Sequence, residues 1–509
     1  MTTNVATVIG LLGAGDDDAT ALFAPGGVPL SYRQLRAVVN ETVAALNAHG
    51  IGRNDRVALV LDNGPLAASA FLAVAGGATA APLNPGYRAE EFEFYLTDLR
   101  AGLLIVEAGK VSPAIDVAAK LGIPIARLVA APDRGAGAFT LELPPSSAAA
   151  ARQPGAAEPD DIALVLHTSG TTSRPKIVPL SQLNICTSAR NVRTTLGLTA
   201  LDRALNIMPL FHIHGLIAGV MAPLSVAGAV SCTPGFNALK FFGWMSEARP
   251  TWYTAVPTMH QAILMRARNY LEIIRAHPLR FIRSSSSSLP PQVLHELEEV
   301  FGAPVAEAYG MTEAAHQMAC NPLPPGVRKP GTVGIAAGPE VCILDDHGVP
   351  AAPEVTGEIA IRGPNVMAGY ENNPVANAEA FTNGWFRTGD QGVMDAAGYI
   401  SITGRLKEII NRGGEKISPR EVDEVLLDHP AVQQCVTFAL PHDKLGEEVA
   451  VVVVLREGIA ATADELRDFA ARRLADFKVP KKVIFRPEIP KGATGKLQRI
   501  GLAQKLGLA

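Results

Sequence analysis

Short apolar segments alternate with alanine-rich stretches along the first 150 residues, and this alternation constrains the fold more than any other feature of the chain. The run 56–61 (RVALVL) predicts a buried strand, 65–75 predicts a helix with proline in its first turn, and 103–106 (LLIV) predicts another buried strand. Wholly apolar strands separated by helices are typical of parallel sheets covered by helices. The chain is therefore predicted to be a layered α/β protein.

The length of the chain predicts more than one domain. A single hydrophobic core stops growing near ~250–300 residues, and this chain has 509. A new strand at 449–455 and a helix at 463–474 predict a small α+β domain at the carboxyl end. We expect a large layered domain of several subdomains over residues 1–404 and a small, mobile domain over residues 405–509.

Charge and apolar patterning exclude several classes of partner. The formal net charge is −4, so no basic excess is available to hold nucleic acid or an anionic membrane. The longest apolar run, 215–230, is interrupted by Pro223 and is shorter than a membrane span. The first residues lack the basic start of a signal peptide, the last four are not a peroxisomal address, and the five cysteines form no CxxC pair. We expect a cytoplasmic protein with no membrane, nucleic-acid or obligate protein partner.

The segment 167–176 (HTSGTTSRPK) is the first candidate site. It follows the predicted strand 162–166 and combines small residues, hydroxyl groups and a lysine. Exposed backbone N–H groups, hydroxyls and an ammonium group can together cradle phosphates. A serine- and threonine-rich turn is the alternative, and the GxxxxGK[ST] spacing of the common phosphate loop is absent.

Four further polar segments follow in order: 307–313 (EAYGMTE), 385–390 (WFRTGD), 404–419 (GRLKEIINRGGEKISP) and 490–496 (PKGATGK). Each has an ordinary alternative, such as a helix start capped by Thr312, a turn aspartate or a basic surface turn. Together, these segments and the phosphate-loop candidate resemble the adenylate-forming superfamily, which includes acyl-CoA synthetases, luciferases and adenylation domains of peptide synthetases. The resemblance covers roughly residues 15 to 505.

The resemblance implies ATP, Mg²⁺ and coenzyme A as cofactors, and it implies a role for each motif. Tyr309 offers a flat face to adenine, Asp390 and Arg405 contact the ribose, Thr312 contacts phosphate and assists catalysis, and Glu313 is a hard oxygen ligand for Mg²⁺. The other residues expected to bind the nucleotide are Thr168, Ser169, Gly170, Thr171, Thr172, Lys176 and Glu307.

The resemblance also implies a hinged second domain. Lys407 occupies the hinge position, and Gly413 and Gly414 allow the backbone to approach the thiol arm of coenzyme A. Lys496 is the expected catalytic residue, because an ammonium group there neutralises charge shared by a carboxylate and the α-phosphate. One such donor contributes roughly 2.7–4 kcal/mol to transition-state stabilisation. His212 is the expected gate beside the thiol channel, with a catalytic role.

Two polar features suggest which acid is used. Five consecutive serines, 284–288, resemble a flexible linker by composition, yet they lie between a strand and a turn. His212 and His214 could bind metal, although no third ligand is near them in sequence. By resemblance, His214, Ser286 and His316 surround the acid. A second carboxylate on a small acid would find hydrogen-bond donors there, which its burial requires, and histidine can also be protonated there.

The sequence therefore predicts an AMP-forming ligase that joins a small carboxylic acid to coenzyme A. Its motifs resemble the oxalate–CoA ligase branch of the superfamily, which makes oxalate the expected acid. Malonate, 4-coumarate and medium-chain fatty acids are the alternatives within this activity. An adenylation enzyme that loads a carrier protein, or an ATP sensor without catalysis, are alternatives of other classes.

Overall fold

The computed structural model describes residues 5–145, 150–168, 175–490 and 499–508. It is a mixed α/β protein with four sheets, of nine, seven, five and five strands. The first three sheets are built from residues before 406, and the fourth from residues after 409. The predicted class, a large layered α/β domain followed by a small α+β domain, is confirmed.

One amphipathic helix, Tyr32–Ala48, is capped by Ser31, whose hydroxyl accepts from the Gln34 amide. The α-helices are α1 (Val8–Leu12), α2 (Tyr32–Ala48), α3 (Pro65–Ala75), α4 (Ala89–Leu99), α5 (Pro113–Lys120), α6 (Gln182–Thr195), α7 (Ala222–Leu224), α8 (Phe241–Ala248), α9 (Pro257–Ala267), α10 (Leu271–Ala276), α11 (Pro291–Phe301), α12 (Pro374–Ala380), α13 (Pro419–Leu427), α14 (Ala463–Ala471) and α15 (Leu502–Lys505). A π-helix, His214–Met221, leads directly into α7. Within the described ranges, no helix is both long and apolar enough to cross a bilayer.

The strands are short, and most of those in the two large sheets are buried on both faces. They are β1 (Thr20–Phe23), β2 (Leu30–Ser31), β3 (Arg56–Val60), β4 (Thr79–Pro82), β5 (Leu103–Glu107), β6 (Ile125–Ala130), β7 (Phe139–Glu142), β8 (Ile162–Thr168), β9 (Lys176–Ser181), β10 (Arg203–Asn206), β11 (Ala229–Cys232), β12 (Trp252–Ala255), β13 (Phe281–Ser284), β14 (Val305–Met311), β15 (His316–Cys320), β16 (Ile335–Ala336), β17 (Glu340–Leu344), β18 (Gly357–Arg362), β19 (Phe381–Thr382), β20 (Trp385–Met394), β21 (Ile400–Arg405), β22 (Ile410–Arg412), β23 (Glu415–Ile417), β24 (Val432–His442), β25 (Gly446–Leu455) and β26 (Lys482–Phe485).

The seven-stranded sheet has the order β7-β6-β5-β3-β4-β8-β9, with parallel pairing from β6 to β8 and antiparallel strands at both edges. Helix α3 packs on it and is buried over nearly its whole length. A helix that is apolar all round is stable only inside a core, which is why this alanine-rich segment lies beneath α2. The alternating strands and helices between residues 56 and 130 thus form one buried layer.

The nine-stranded sheet has the order β16-β15-β14-β13-β12-β10-β11-β1-β2 and is parallel from β14 to β1. The carboxyl ends of parallel strands meet at one edge of a sheet, which is where ligands bind in open α/β folds. Here that edge carries the serine run after β13 and the polar turn after β14. Strands β20 and β21 of the third sheet, which is antiparallel, contribute further polar residues near this edge.

The last hundred residues have their own apolar core. Strands β22 to β26 form the fourth sheet, and α13 and α14 cover it. Two apolar clusters of this region contain only residues from Ile410 onward, whereas the clusters of the larger part end at Ile402.

Candidate active site

A cavity of about 890 Å³ opens where the three sheets of the larger part meet the start of the smaller part. Two of its walls are chemically distinct. We call the wall that contains Glu313 and Asp390 the acidic end, and the wall that contains Ser286 and His316 the histidine end. The segment between β14 and β15 connects them, since it contributes both Glu313 and His316.

At the acidic end, Asp390 joins two other sequence-predicted residues. The Tyr309 hydroxyl donates to Oδ2 of Asp390 at 2.5 Å, and Nε of Arg405 donates to Oδ1 at 2.8 Å. Asp390 and Arg405 face each other across β20 and β21, which fixes their pairing. Burial, followed by the charge of Asp390, raises the pKa of Tyr309 well above its usual value, so its hydroxyl remains a donor. A carboxylate has about four lone-pair sites, so Asp390 can accept two more donors.

Glu313 is the second carboxylate of the acidic end and is 5% exposed. The Tyr370 hydroxyl donates to its Oε1 at 2.9 Å, and the ammonium group of Lys176 lies 4.4 Å from the centre of the Tyr370 ring. Burial raises the pKa of Glu313. Its hard oxygen atoms on the cavity wall suit Mg²⁺. In the described part of the chain, no cluster of three histidine, cysteine or acidic residues could hold a metal by itself. Tyr370 was not identified from the sequence.

The phosphate-loop candidate is a hairpin whose two ends line the cavity. Thr168 ends β8, Lys176 begins β9, and the two residues face each other in the antiparallel pair. Four predicted phosphate-binding residues between β8 and β9 in sequence lie outside the described residues: Ser169, Gly170, Thr171 and Thr172. Thr312, in the turn after β14, also lines the cavity.

At the histidine end, Ser286 and His316 have backbone conformations that L-residues rarely adopt, with φ of 73° and 108°. Such strain costs of order 1–3 kcal/mol for each residue and is concentrated at functional sites. The backbone of His316 is held against Gly310, where an added Cβ would stand 1.9 Å from the His316 carbonyl oxygen. Gly310 is therefore required for the position of the His316 side chain.

His214 lies one layer behind this wall and is fully buried. The sequence places it facing the substrate, but in the structure it contacts the two wall residues. Its Nδ1 lies 3.0 Å from Oγ of Ser286, and its ring stacks on that of His316, with centres 4.9 Å apart and 18° between the planes. His212 does line the cavity, and its Nδ1 accepts from the His214 backbone amide at 3.3 Å.

Behind His214 lies Arg283, which the sequence analysis did not single out. Its side chain is fully buried at the end of β13, and Nη1 lies 3.3 Å from Nε2 of His214. Burial lowers the pKa of Arg283 to about 10. The signal was present in the sequence, because an arginine that directly follows Phe281-Ile282 in a wholly buried strand needs a specific reason.

Glu307 was predicted to bind the nucleotide, and the structure places it behind the cavity wall. It is 1% exposed, and its Oε1 accepts from the Leu289 backbone amide at 2.9 Å. This bond ties the end of the serine run to β14. Burial raises the pKa of Glu307 to about 7.

The smaller part closes one side of the cavity. Lys407 lies in the turn Leu406–Glu408 on the cavity wall, as does Arg499, which pairs with Asp423 and, at 3.4 Å, with Glu408. Lys496, three residues before Arg499, lies outside the described residues. Gly413 and Gly414 form the turn between β22 and β23, with φ of 60° and 98°, and are not on the wall.

Two relatives and one solved structure are similar to this chain over most of its length. The chain is 46% identical over 495 residues to the oxalate–CoA ligase of Arabidopsis thaliana, covering 96% of this chain and 95% of that protein. It is 42% identical over 478 residues to the oxalate–CoA ligase of Saccharomyces cerevisiae, covering 89% and 87%. The crystal structure of ATP-bound MatB from Rhodopseudomonas palustris superposes with a TM-score of 0.86 at 31% identity, covering 97% of each chain.

Family models match both parts of the chain. The model of the AMP-binding enzyme matches residues 13–371, which include β14 and its polar turn. The model of the AMP-binding enzyme C-terminal domain matches residues 421–496, which include the fourth sheet from β24 onward and Lys496. The chain therefore belongs to the family of AMP-binding enzymes.

Proposed function

We propose that this enzyme is an ATP- and coenzyme A-dependent ligase that activates oxalate as an acyl-adenylate and transfers the acyl group to coenzyme A, releasing AMP and pyrophosphate. The observation that carries the proposal is the cavity itself, in which the polar histidine end lies directly beside the acidic end. Membership of the AMP-binding family and the similarity to two oxalate–CoA ligases support it.

ATP occupies the acidic end. The free lone pairs of Asp390 accept from the ribose hydroxyls, while Arg405 and Tyr309 hold the carboxylate in place. The phosphates extend toward Thr168 and Lys176 at the base of the hairpin. Glu313 would hold Mg²⁺, which when bound neutralises charge on the phosphates.

Oxalate occupies the histidine end. Ser286 and His316 are polar side chains on the wall of the histidine end, where they can form hydrogen bonds to the acid. A carboxylate removed from water is stable only when donors meet it. One carboxylate of oxalate faces the nucleotide and reacts, and the other is held by Ser286 and His316.

We place the large domain at residues 1–404 and the smaller domain at residues 405–509, with Lys407 as the hinge. Formation of the adenylate and formation of the thioester need two arrangements of the smaller domain. Arg499, three residues after Lys496 in sequence, lies on the cavity wall, and we propose that Lys496 acts at this cavity during formation of the adenylate. Gly413 and Gly414 are away from the wall here, and rotation about Lys407 would bring them toward the thiol of coenzyme A. Domain rotation that exchanges catalytic groups is a common solution for such enzymes.

The test is an assay for free acyl-CoA with oxalate, malonate, glyoxylate, acetate, coumarate and octanoate. We expect oxalate to have the highest kcat/KM, because a site built to bond a substrate group rejects analogues without it by ~10⁴–10⁵. Preference for coumarate or octanoate would refute oxalate but leave the ligase activity standing. Adenylate formation without free acyl-CoA would instead favour an enzyme that loads a carrier protein.

A variant pair sharpens the test. His316→Ala should raise KM for oxalate sharply and leave KM for ATP nearly unchanged. His277→Ala is the matched control, since His277 contacts Ser246 at 3.4 Å and is not on the cavity wall. Equal effects of the two substitutions would refute the role of His316.

A further inference from the structure

Arg283 is a fully buried guanidinium, and in the parts of the chain that the structure describes no carboxylate is paired with it. Other arginines near the cavity differ, since Arg405 pairs with Asp390 and Arg499 with Asp423. Burial of a charge without a counter-ion is costly. A positive charge retained one contact behind the cavity wall suits a ligand that carries negative charge.

The contacts of Arg283 determine where the proton of His214 lies. Nη1 of Arg283 is 3.3 Å from Nε2 of His214 and 3.4 Å from Oγ1 of Thr254, and that hydroxyl is 2.6 Å from the same Nε2. A guanidinium can only donate, so Nε2 accepts. Thr254 accepts from Arg283 and donates to Nε2. The proton of a neutral His214 is therefore on Nδ1.

This tautomer determines what Ser286 offers to the cavity. Nδ1–H of His214 points at Oγ of Ser286, 3.0 Å away, and donates to it. The hydroxyl hydrogen of Ser286 then remains for a ligand, and the left-handed backbone of Ser286 keeps that hydroxyl on the cavity wall. The chain of contacts thus runs from Arg283 through His214 to Ser286 on the cavity wall.

Gln317 holds the other end of the guanidinium. Its Oε1 accepts from Nη2 of Arg283 at 3.2 Å, and its Nε2 donates to Thr195 at 3.0 Å and to the Ala337 carbonyl at 3.2 Å. The partners of Arg283 other than His214, which are Thr254 and Gln317, are neutral, so within the described ranges no hydrogen-bonded carboxylate balances its positive charge. The guanidinium therefore places its positive charge beside His214, behind the histidine end.

We propose that Arg283 is a positioning residue that makes the histidine end selective for a small acid whose second group is anionic, by orienting Ser286 through His214 and by supplying the balancing positive charge. The inference rests on the proposed function and deepens it. A neutral second group of the same size, such as the amide of oxamate, can accept the Ser286 hydrogen bond but gains nothing from the charge.

The experiment compares full-length wild type with Arg283→Gln, Arg283→Lys and Arg280→Gln. KM for oxalate and ATP, kcat, and Ki of oxamate as a competitor of oxalate are measured for each. Arg283→Gln should raise KM for oxalate ~10- to 100-fold, by analogy with the loss on removing a residue that hydrogen-bonds to a metal ligand and orients it. KM for ATP and Ki of oxamate should change little, and Arg283→Lys should restore most of the preference. Arg280→Gln is the control, because Arg280 pairs with Asp202.

Gln317→Glu provides a second route that keeps Arg283 in place. It is nearly isosteric, and its carboxylate would pair with the guanidinium and cancel the charge. The same rise in KM for oxalate is expected, so the proposal remains testable if Arg283→Gln does not fold, as thermal unfolding would report.

Three results would decide whether Arg283 has the proposed role. An unchanged KM for oxalate in Arg283→Gln and Gln317→Glu overturns the inference. Parallel weakening of oxalate and oxamate also overturns it, since that is the result of a merely structural role. A wild-type enzyme that does not use oxalate overturns the proposed function and the inference with it, whereas the first two results leave the proposed function intact.

Discussion

The carbonyl oxygen of His316 lies so close to Gly310 that a Cβ at residue 310 would stand 1.9 Å from it. The contact arises because β14 and β15 form a tight antiparallel pair whose register shifts between Tyr309 and Gly310. It links a backbone position in the nucleotide motif to a side chain at the histidine end.

Gly310→Ala should therefore disturb the use of oxalate more than the binding of ATP. The added methyl group must push the His316 backbone away. Overpacking of this kind typically costs about 1–3 kcal/mol in the free energy of unfolding. Enzyme kinetics and thermal unfolding would measure both effects. Gly243→Ala in α8 is the control, since open space surrounds that position, and there alanine should add ~0.5–1 kcal/mol of stability. A Gly310→Ala enzyme with unchanged kinetics would contradict the role assigned to the contact.

Asp390→Asn should weaken ATP binding. In the variant, the amide NH2 group would face one of the two groups that now donate to Asp390, Tyr309 or Arg405. The negative charge that both groups now contact would also be lost. Hydrogen bonds to charged groups contribute about 1.5–3 kcal/mol, which corresponds to roughly 10- to 150-fold in KM for ATP. Tyr309→Phe keeps the carboxylate and its pairing with Arg405, so its effect should be smaller. If Tyr309→Phe were the more damaging change, the ring hydroxyl and not Asp390 would be the main contact of the ribose.

Glu307→Gln should change the pH dependence of stability. Burial raises the pKa of Glu307 to about 7 in the folded protein, against an ordinary value of 4.5. Between these values the folded state holds more protons than the unfolded state, so the free energy of unfolding falls as pH rises, by about 1.4 kcal/mol for each pH unit. Glutamine keeps the bond from the Leu289 amide but cannot ionise.

The variant should thus be more stable than wild type above pH 7, and the difference should vanish near pH 4.5. Thermal unfolding across this range, with both proteins in the same buffers, measures it. Parallel curves for the two proteins would show that Glu307 ionises normally in the folded state.

Lys496→Ala should reduce adenylate formation by ~10²-fold or more, as expected for loss of one donor that stabilises charge in the transition state. Thioester formation from a supplied adenylate should suffer far less, because the smaller domain would by then have rotated. Pyrophosphate exchange and single-turnover thioester assays separate the two steps. Equal loss in both steps would contradict the proposed rotation.

Local patterns predicted the elements of the fold well. The helix predicted over 65–75 is α3, because proline starts it and glycine follows it. The strands predicted over 56–61 and 103–106 are β3 and β5 to within one residue at either end. Continuous β-branched and leucine-rich runs between turn residues are sufficient for this, since they depend on no distant contact.

The arrangement behind the histidine end could not be predicted in the same way. Arg283 of β13 and Gln317 of β15 are brought together by the pairing of β13, β14 and β15, and His214 by the π-helix that contacts β12 and β15. Pairing across long sequence separations leaves no local signal in one chain. For the same reason the serine run resembled a flexible linker, although Ser285 bonds the Ala308 carbonyl at 3.0 Å and Ser286 lies on the cavity wall.

The two ends of the cavity draw on different sheets, although Tyr309 of β14 and the short turn between β14 and β15 also contribute to the acidic end. Asp390 and Arg405 belong to the antiparallel third sheet, while Arg283 and Thr254, behind Ser286, belong to the nine-stranded sheet and His214 to the π-helix. Substitutions behind Ser286 can therefore alter the range of acids without disturbing the nucleotide contacts. Such separation makes this scaffold a favourable starting point for enzymes that activate other small acids, in natural divergence or by directed evolution.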